Sequence, residues 1–450
     1  MLKQQEITDK TKSDVFSKLS YINCSELKFL LNVNIFLNMR NNLSFILIVI
    51  IFMLGCSSPT NKKTKDMNSD FAKGTLGYDL DFLKSHDFEC IELKDKTSKA
   101  SLILVPGLQG RVMTSSANGS DGKSLGWINY KLIESGKVSS QFNPYGGEER
   151  FWLGPEGGPF SIYFPEGKEQ VFENWDVPPV LDTESFEVKI VDDQQVSMVK
   201  NTVLKNASGT EFNIGIERKV SILTRDTISE LFNINIPSEI DVVAYQSDNT
   251  IKNIGDKVWT KDKGLLSIWL LCMFNPSPTT TVFIPYKKEG EGVIVNDEYF
   301  GKVPSDRLIV ENGTVYFKID GKLRSKIGLP PERAKGICGS YDSDQKILTL
   351  LWCSLPAKSK DYLNSKWGHQ DNPYKGDAIN SYNDGPVEDG SIMGPFYEIE
   401  TTSPAADLQP NESLTHTQRI VHFQGEEAGL ATIVKDLFNI DLHHITIKFQ

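Results

Sequence analysis

From residue 71 to near its end, the sequence is a succession of short β-branched and aromatic runs, each closed by Gly, Pro, Asn or Asp. Runs of that kind are strand signals, and the residues that close them supply the turns. Candidate strands lie at 101–105, 160–164, 212–222, 265–274, 280–285, 314–319, 347–353, 396–402 and 415–423. Helical spacing is strong only at 426–438, where Leu430, Ile433, Val434 and Leu437 fall on one face. A shorter helical candidate spans 124–134. Strands do not alternate with helices, which disfavours doubly wound and barrel α/β folds. No fixed period is visible, which weakens a propeller. The expectation is an all-β chain, one large antiparallel sandwich with a short C-terminal helix.

The N-terminus speaks to location. Residues 43–54 (LSFILIVIIFML) follow Arg40 and end in Gly55-Cys56-Ser57-Ser58, the pattern of a signal peptide. This run of twelve residues, apolar except for Ser44, is short for a bilayer span. The segment 53–56 (MLGC) has the form of a bacterial lipobox, in which Cys56 becomes the acylated, palmitate-bearing first residue of the mature chain. The alternative is an uncleaved anchor helix extended upstream through 29–37. Met39 directly precedes the charged segment, so 1–38 reads as a mis-called start, 39–55 as the signal, 56–70 as a polar tether and 71–450 as the folded domain. The implied location is the bacterial cell envelope, lipid-anchored at the outer membrane.

A net charge of -11 and the lack of a long basic run argue against a nucleic-acid partner. Cys90, Cys272, Cys338 and Cys353 are too sparse for a disulfide scaffold. A two-residue turn at Ser343-Asp344 would set Thr349, not Cys353, opposite Cys338. Neither CxxC nor HExxH occurs, so a zinc site has no support in the sequence.

Four stretches could carry chemistry. In 143–164, paired glycines and prolines frame Glu148, Glu149, Arg150, Trp152 and Glu156. Arg donors beside an aromatic face suit a sugar ring, although Arg150 could instead tie down the corner while Trp152 packs in the core. The polar loop 366–385 contains His369 and Asn383. His369 is titratable near neutrality, while a loop histidine is more often solvated. In 396–402 (FYEIETT), Phe396, Glu398 and Glu400 share one strand face. The two carboxylates could act as a general base or as oxygen ligands for calcium, the one cofactor considered, or could simply be wet. In 328–341, Arg333 and Lys335 follow a Pro-Pro kink and could reach a groove or merely be solvated.

Three segments together resemble the galactose mutarotase-like proteins. They are 146–156 (GGEERFWLGPE), 249–259 (NTIKNIGDKVW) leading into the following strand, and 397–423 (YEIETTSPAADLQPNESLTHTQRIVHF). The match is closest to bacterial lipoproteins of unassigned activity on that fold. The resemblance implies a β supersandwich and a carbohydrate partner. It also implies Glu400 as the base that opens a sugar ring, and Arg150 as a substrate-holding residue. Where mutarotases carry Asn-His, this chain has Asn253-Ile254, and no His lies between His86 and His369. His369 is therefore the candidate substitute acid. Trp152, Glu149, Arg333, Asn383 and Glu398 complete the expected substrate-binding set. Three functions stay open: a glycan-binding lipoprotein, an aldose epimerase-like enzyme, and a lyase or dehydratase acting on acidic oligosaccharides in polysaccharide utilisation.

Overall fold

In the stretch EFNIGIERKVSIL, alternate residues are apolar except at Arg218. The chain there is a strand that buries Phe212, Ile214, Ile216, Val220 and Ile222 on one face, with Arg218 among them. The same period of two orients the other strands. The computed structural model describes residues 69–450 except 358–360 and 388. The signal run, Cys56 and nearly all of the tether lie outside the described residues. Those described fall within the unit Lys65–Gln450.

In chain order the strands are β1 (Ile91–Lys94), β2 (Ser101–Val105), β3 (Arg111–Ser116), β4 (Arg150–Gly154), β5 (Glu187–Val191), β6 (Gln195–Lys205), β7 (Glu211–Leu223), β8 (Asp241–Asn253) and β9 (Ser267–Phe274). They continue as β10 (Thr280–Pro285), β11 (Leu308–Glu311), β12 (Thr314–Lys318), β13 (Ser325–Leu329), β14 (Ile337–Asp342), β15 (Ile347–Cys353), β16 (Ile379–Asn383), β17 (Tyr397–Thr402) and β18 (Ser413–Gln424). The helices are α1 (Leu76–Ser85), α2 (Tyr130–Ser135), α3 (Arg225–Phe232), α4 (Glu427–Phe438) and α5 (Leu442–Thr446).

Three sheets result. One has ten strands in the order β11-β12-β10-β14-β15-β18-β8-β7-β6-β5, one has five in the order β13-β16-β17-β9-β4, and one has three, β1-β2-β3. Strand pairing is antiparallel throughout the described sheets. The ten- and five-stranded sheets face each other across the main core, where Val282, Leu351 and Ile420 meet Phe151, Leu270 and Ile399. The far side of the large sheet is covered by helices: Leu430, Ile433 and Val434 of α4 and Ile228 of α3 pack on Leu348, Leu350, Val421 and Phe423. Each such side chain stabilises the fold by about 1.5–3 kcal/mol. The all-β sandwich with a short C-terminal helix is thus the observed architecture. The far face of the five-stranded sheet carries the cavity described below.

Local departures have local causes. Residues 160–164 form no strand; Tyr163 instead donates its hydroxyl to Leu153 O at 2.7 Å, pinning the segment as a coil. Within 124–134 the helix is restricted to α2, capped by Asn129. The residues before it pair as single bridges, Gly126 with Phe274 and Ile128 with Gly146. The β14–β15 connection has four residues, not two. Asp342 Oδ1 accepts from the backbone N–H groups of Asp344 and Gln345, and Lys346 takes a left-handed φ of 52°. That shifts the register by two, so Leu351 lies opposite Cys338 and Thr349 opposite Ser340. Cys338 and Cys353 are both free and buried.

Candidate functional site

Along β17, Tyr397, Ile399 and Thr401 point between the sheets, so Glu398 and Glu400 project from the outer face. Tyr397 makes this explicit, sharing a 2.7 Å hydrogen bond with Ser340 of the large sheet. Neighbouring strands set the outer face in register: Glu398 is opposite Tyr382 and Met273, and Leu271 lies between Glu400 and Arg150. Two ion pairs cross this face. Arg150 donates through Nη2 to Glu398 Oε1. Lys326 Nζ reaches Glu400 Oε2 at 2.9 Å, and the same oxygen accepts from Trp269 Nε1 at 2.9 Å.

Loops build walls around the pairs. Phe142, Glu156, Phe172 and Trp175 come from the segments flanking β4, Phe300 and Arg324 from either side of β11 and β12, and Trp367 from the β15–β16 connection. With Trp152, Trp269, Tyr382 and Glu398 of the sheet they enclose a cavity of about 130 Å³. The rings brace one another: Phe142 lies 5.7 Å from Trp152 and 5.5 Å from Trp175, and Trp152 meets Trp269 edge-on at 5.7 Å. Cations lie on ring faces, Arg150 over Trp152 at 5.1 Å and Lys326 over Trp269 at 5.0 Å. Arg150 Nε and the indole nitrogens of Trp152 and Trp175 are buried without a hydrogen bond among the described residues. Buried donors normally find a partner, so these are unused bonding capacity beside the cavity.

Burial also tunes the carboxyls. It pushes Glu398 up to about 7; Arg150 pulls the other way and Glu400 adds to the rise. Burial raises Glu156 to about 7 as well, against Lys326 and a hydrogen bond to Trp367. Burial alone would lower the Lys326 ammonium, but Glu400 and Glu156 outweigh it and hold it above its ordinary value.

The residues singled out in the sequence separate into distinct places. Arg150, Trp152 and Glu398 line the cavity. Glu400 lies beneath it, fully buried, holding Lys326 and Trp269. His369 stands apart, its side chain 89% exposed and 3.2 Å from Asp371. Glu149 is on the other side of the sheet, paired with Arg218 at 2.6 Å and bonded to Ser247 and Gln418. Its neighbour Glu148 binds His422 and Ser115 in the same interior. Asn383 accepts from Gly321 N and donates to Leu323 O, which fixes a turn. Arg333 is buried and ties the carbonyls of Lys287, Lys288 and Gly292. Lys326, Arg324, Trp175, Trp269 and Trp367 were not singled out. A period-two reading of 325–329 (SKIGL) would have set Lys326 opposite in facing to Ile327, whereas Arg324 carries no comparable signal.

Among the described residues, no group of three or more His, Cys, Asp and Glu is arranged to hold a metal ion. At Glu398 and Glu400 the neighbouring positive charges are the side chains of Arg150 and Lys326.

A family of unknown function, DUF6786, matches residues 74–449. The chain belongs to that family. No curated protein matches it. Similar solved structures are galactose mutarotase-like and aldose 1-epimerase-type proteins. One is an Escherichia coli K12 protein described as a candidate aldose 1-epimerase, with 10% identity and a TM-score of 0.47, the match covering 74% of this chain and 99% of that one. Another is a galactose mutarotase-like protein from Lactobacillus casei, at 11% and 0.41, covering 74% and 100%. A third is a galactose mutarotase related enzyme from Lactobacillus acidophilus, at 8% and 0.43, covering 75% and 99%. Identities this low say nothing of chemistry, which rests on the cavity's own residues.

Proposed function

We propose that the cavity on the outer face of the five-stranded sheet binds a carbohydrate, and that the chain does so as a lipid-anchored envelope protein. One observation carries the first part: indole faces flank a buried Arg150–Glu398 pair, with unpartnered donors beside them. Apolar ring faces cover the carbon skeleton of a sugar while fixed donors and acceptors read its hydroxyls. The lipobox at Cys56 and the polar tether after it support the second part. Calorimetric or tryptophan-fluorescence titration with mono- and oligosaccharides tests binding. Saturable binding that weakens about tenfold or more in Glu398→Gln is expected, and the absence of any saccharide binding would overturn the reading.

A second reading, aldose epimerisation, is favoured by one further feature. Glu156 and Glu398 both line the cavity with carboxyls raised to about 7. Groups titrating near neutrality serve as general acid and base, and two of them supply both roles without a histidine. Glu398 would take the anomeric hydroxyl proton while Glu156 protonates the ring oxygen. Proton NMR of freshly dissolved sugar should then show anomer exchange faster than buffer; exchange at the buffer rate leaves binding alone.

A further inference from the structure

Among the described residues, three cations line the cavity, and they are not equivalent. Arg150 is paired with Glu398 and Lys326 with Glu400. Arg324, half-buried at the start of β13, has no carboxylate within 4.0 Å among the described residues. Its guanidinium instead lies 4.0 Å over the Phe300 ring, and its charge acts on Tyr382 and Asp384. Asp384, behind Tyr382, is already engaged by the Tyr382 hydroxyl at 3.0 Å and by Gly394 N at 2.7 Å.

A guanidinium placed over a ring face keeps its N–H donors for other partners, and a pair of them forms a fork matching the two oxygens of a carboxylate. The ring contact restricts the side chain before binding, so less of its freedom remains to be lost when the fork is filled. We propose that Arg324 receives a carboxylate on the ligand, so that the occupant is an acidic sugar of the uronic-acid class. The inference rests on the carbohydrate reading of the cavity and goes beyond it.

The charge balance agrees. Among the described residues, Glu156 and Glu398 are the acidic groups lining the cavity, and burial raises both to about 7. Near neutrality they oppose an incoming anion less than ordinary carboxylates would. The cavity of about 130 Å³ is smaller than the ~300–1,000 Å³ of drug-sized sites, which suits one ring of a ligand whose remainder lies across the exposed rim at Phe172, Phe300 and Met393.

The test compares methyl glycosides of hexuronic acids with their 6-carboxamides, which keep the shape and remove the charge. Calorimetry on the protein should show the acid binding about tenfold or more tighter than the amide. Arg324→Gln should lose most of that preference, weakening the acid far more than the amide, and Arg324→Lys should retain part of it. Equal affinity for acid and amide, or equal loss of both in Arg324→Gln, would overturn the inference while leaving carbohydrate binding intact. Failure of acid, amide and neutral hexosides alike would overturn both readings. A near-ultraviolet circular dichroism spectrum matching the parent's confirms that each variant is folded.

Discussion

Glu149 and Arg150 adjoin in the chain and end on opposite faces of one sheet, each in an ion pair. Glu149 and its partner Arg218 are completely buried between the sheets, with Ser247, Asn249 and Gln418 filling the remaining hydrogen bonds. Arg150 and Glu398 are also largely buried, but beside a cavity, with Arg150 Nε unpartnered. The inner network is closed and the outer one is open. A closed network specifies how two sheets pack; an open one has bonding capacity left for a ligand.

Removing the charge from each pair separates the roles, and the largest effect belongs to the inner one. Glu149→Ala strands Arg218 in the core and should cost about 3–5 kcal/mol in urea unfolding. The molecules that remain folded should keep their ligand affinity. If affinity falls as steeply as stability, the inner network is not separate from the site.

Glu398→Gln should do the reverse. Its expected cost is about 1.5–3 kcal/mol in ligand binding, the worth of a hydrogen bond to a charged group. Below pH 4.5 its stability should stay within about 1 kcal/mol of the parent, because the Glu398 carboxyl is then neutral in the folded and the unfolded chain alike.

The pH dependence sharpens this point. A carboxyl raised from 4.5 to about 7 on folding binds its proton more tightly in the native state. Its contribution to stability is full below pH 4.5 and is lost as pH rises to about 7. The parent should therefore lose on the order of 2 kcal/mol relative to Glu398→Gln across that window. Taking the difference between the two proteins cancels the other titrating groups, including His416, whose burial lowers it to about 4. The groups facing Glu398 are Arg150, Lys326, Glu400 and Asp384, and all are retained in the variant. A flat difference would mean that Glu398 ionises normally. The smallest effect is expected at His369, whose exposed side chain is not among those lining the cavity: His369→Ala should change stability and saccharide affinity by less than about 0.5 kcal/mol.

Much of the fold was legible because period-two patterning is local. The runs at 101–105, 280–285 and 347–353 read as strands and are β2, β10 and β15. The same period correctly put Phe396, Glu398 and Glu400 on one face. It could not say which face holds the core, because that depends on a partner sheet drawn from distant sequence. The cluster 148–156 shows the cost. Read as one polar pocket, it is divided by strand alternation into Glu149 inside and Arg150 and Trp152 outside. Arg324 and Trp175 escaped notice because nothing local distinguishes them; only the crossing of separate loops brings them to one cavity. Helix α1 was readable and missed, with Thr75 as its cap and Leu76, Leu80 and Leu83 at helical spacing.

The most direct measurement is a crystal structure of the protein soaked with a hexuronic acid methyl glycoside. The account places the sugar ring against Trp152 and Trp269, within hydrogen-bonding distance of Arg150 and Glu398, with its carboxylate on Arg324. A ring bound elsewhere, such as the polar cavity of about 210 Å³ beside His422 and Thr349, would contradict it.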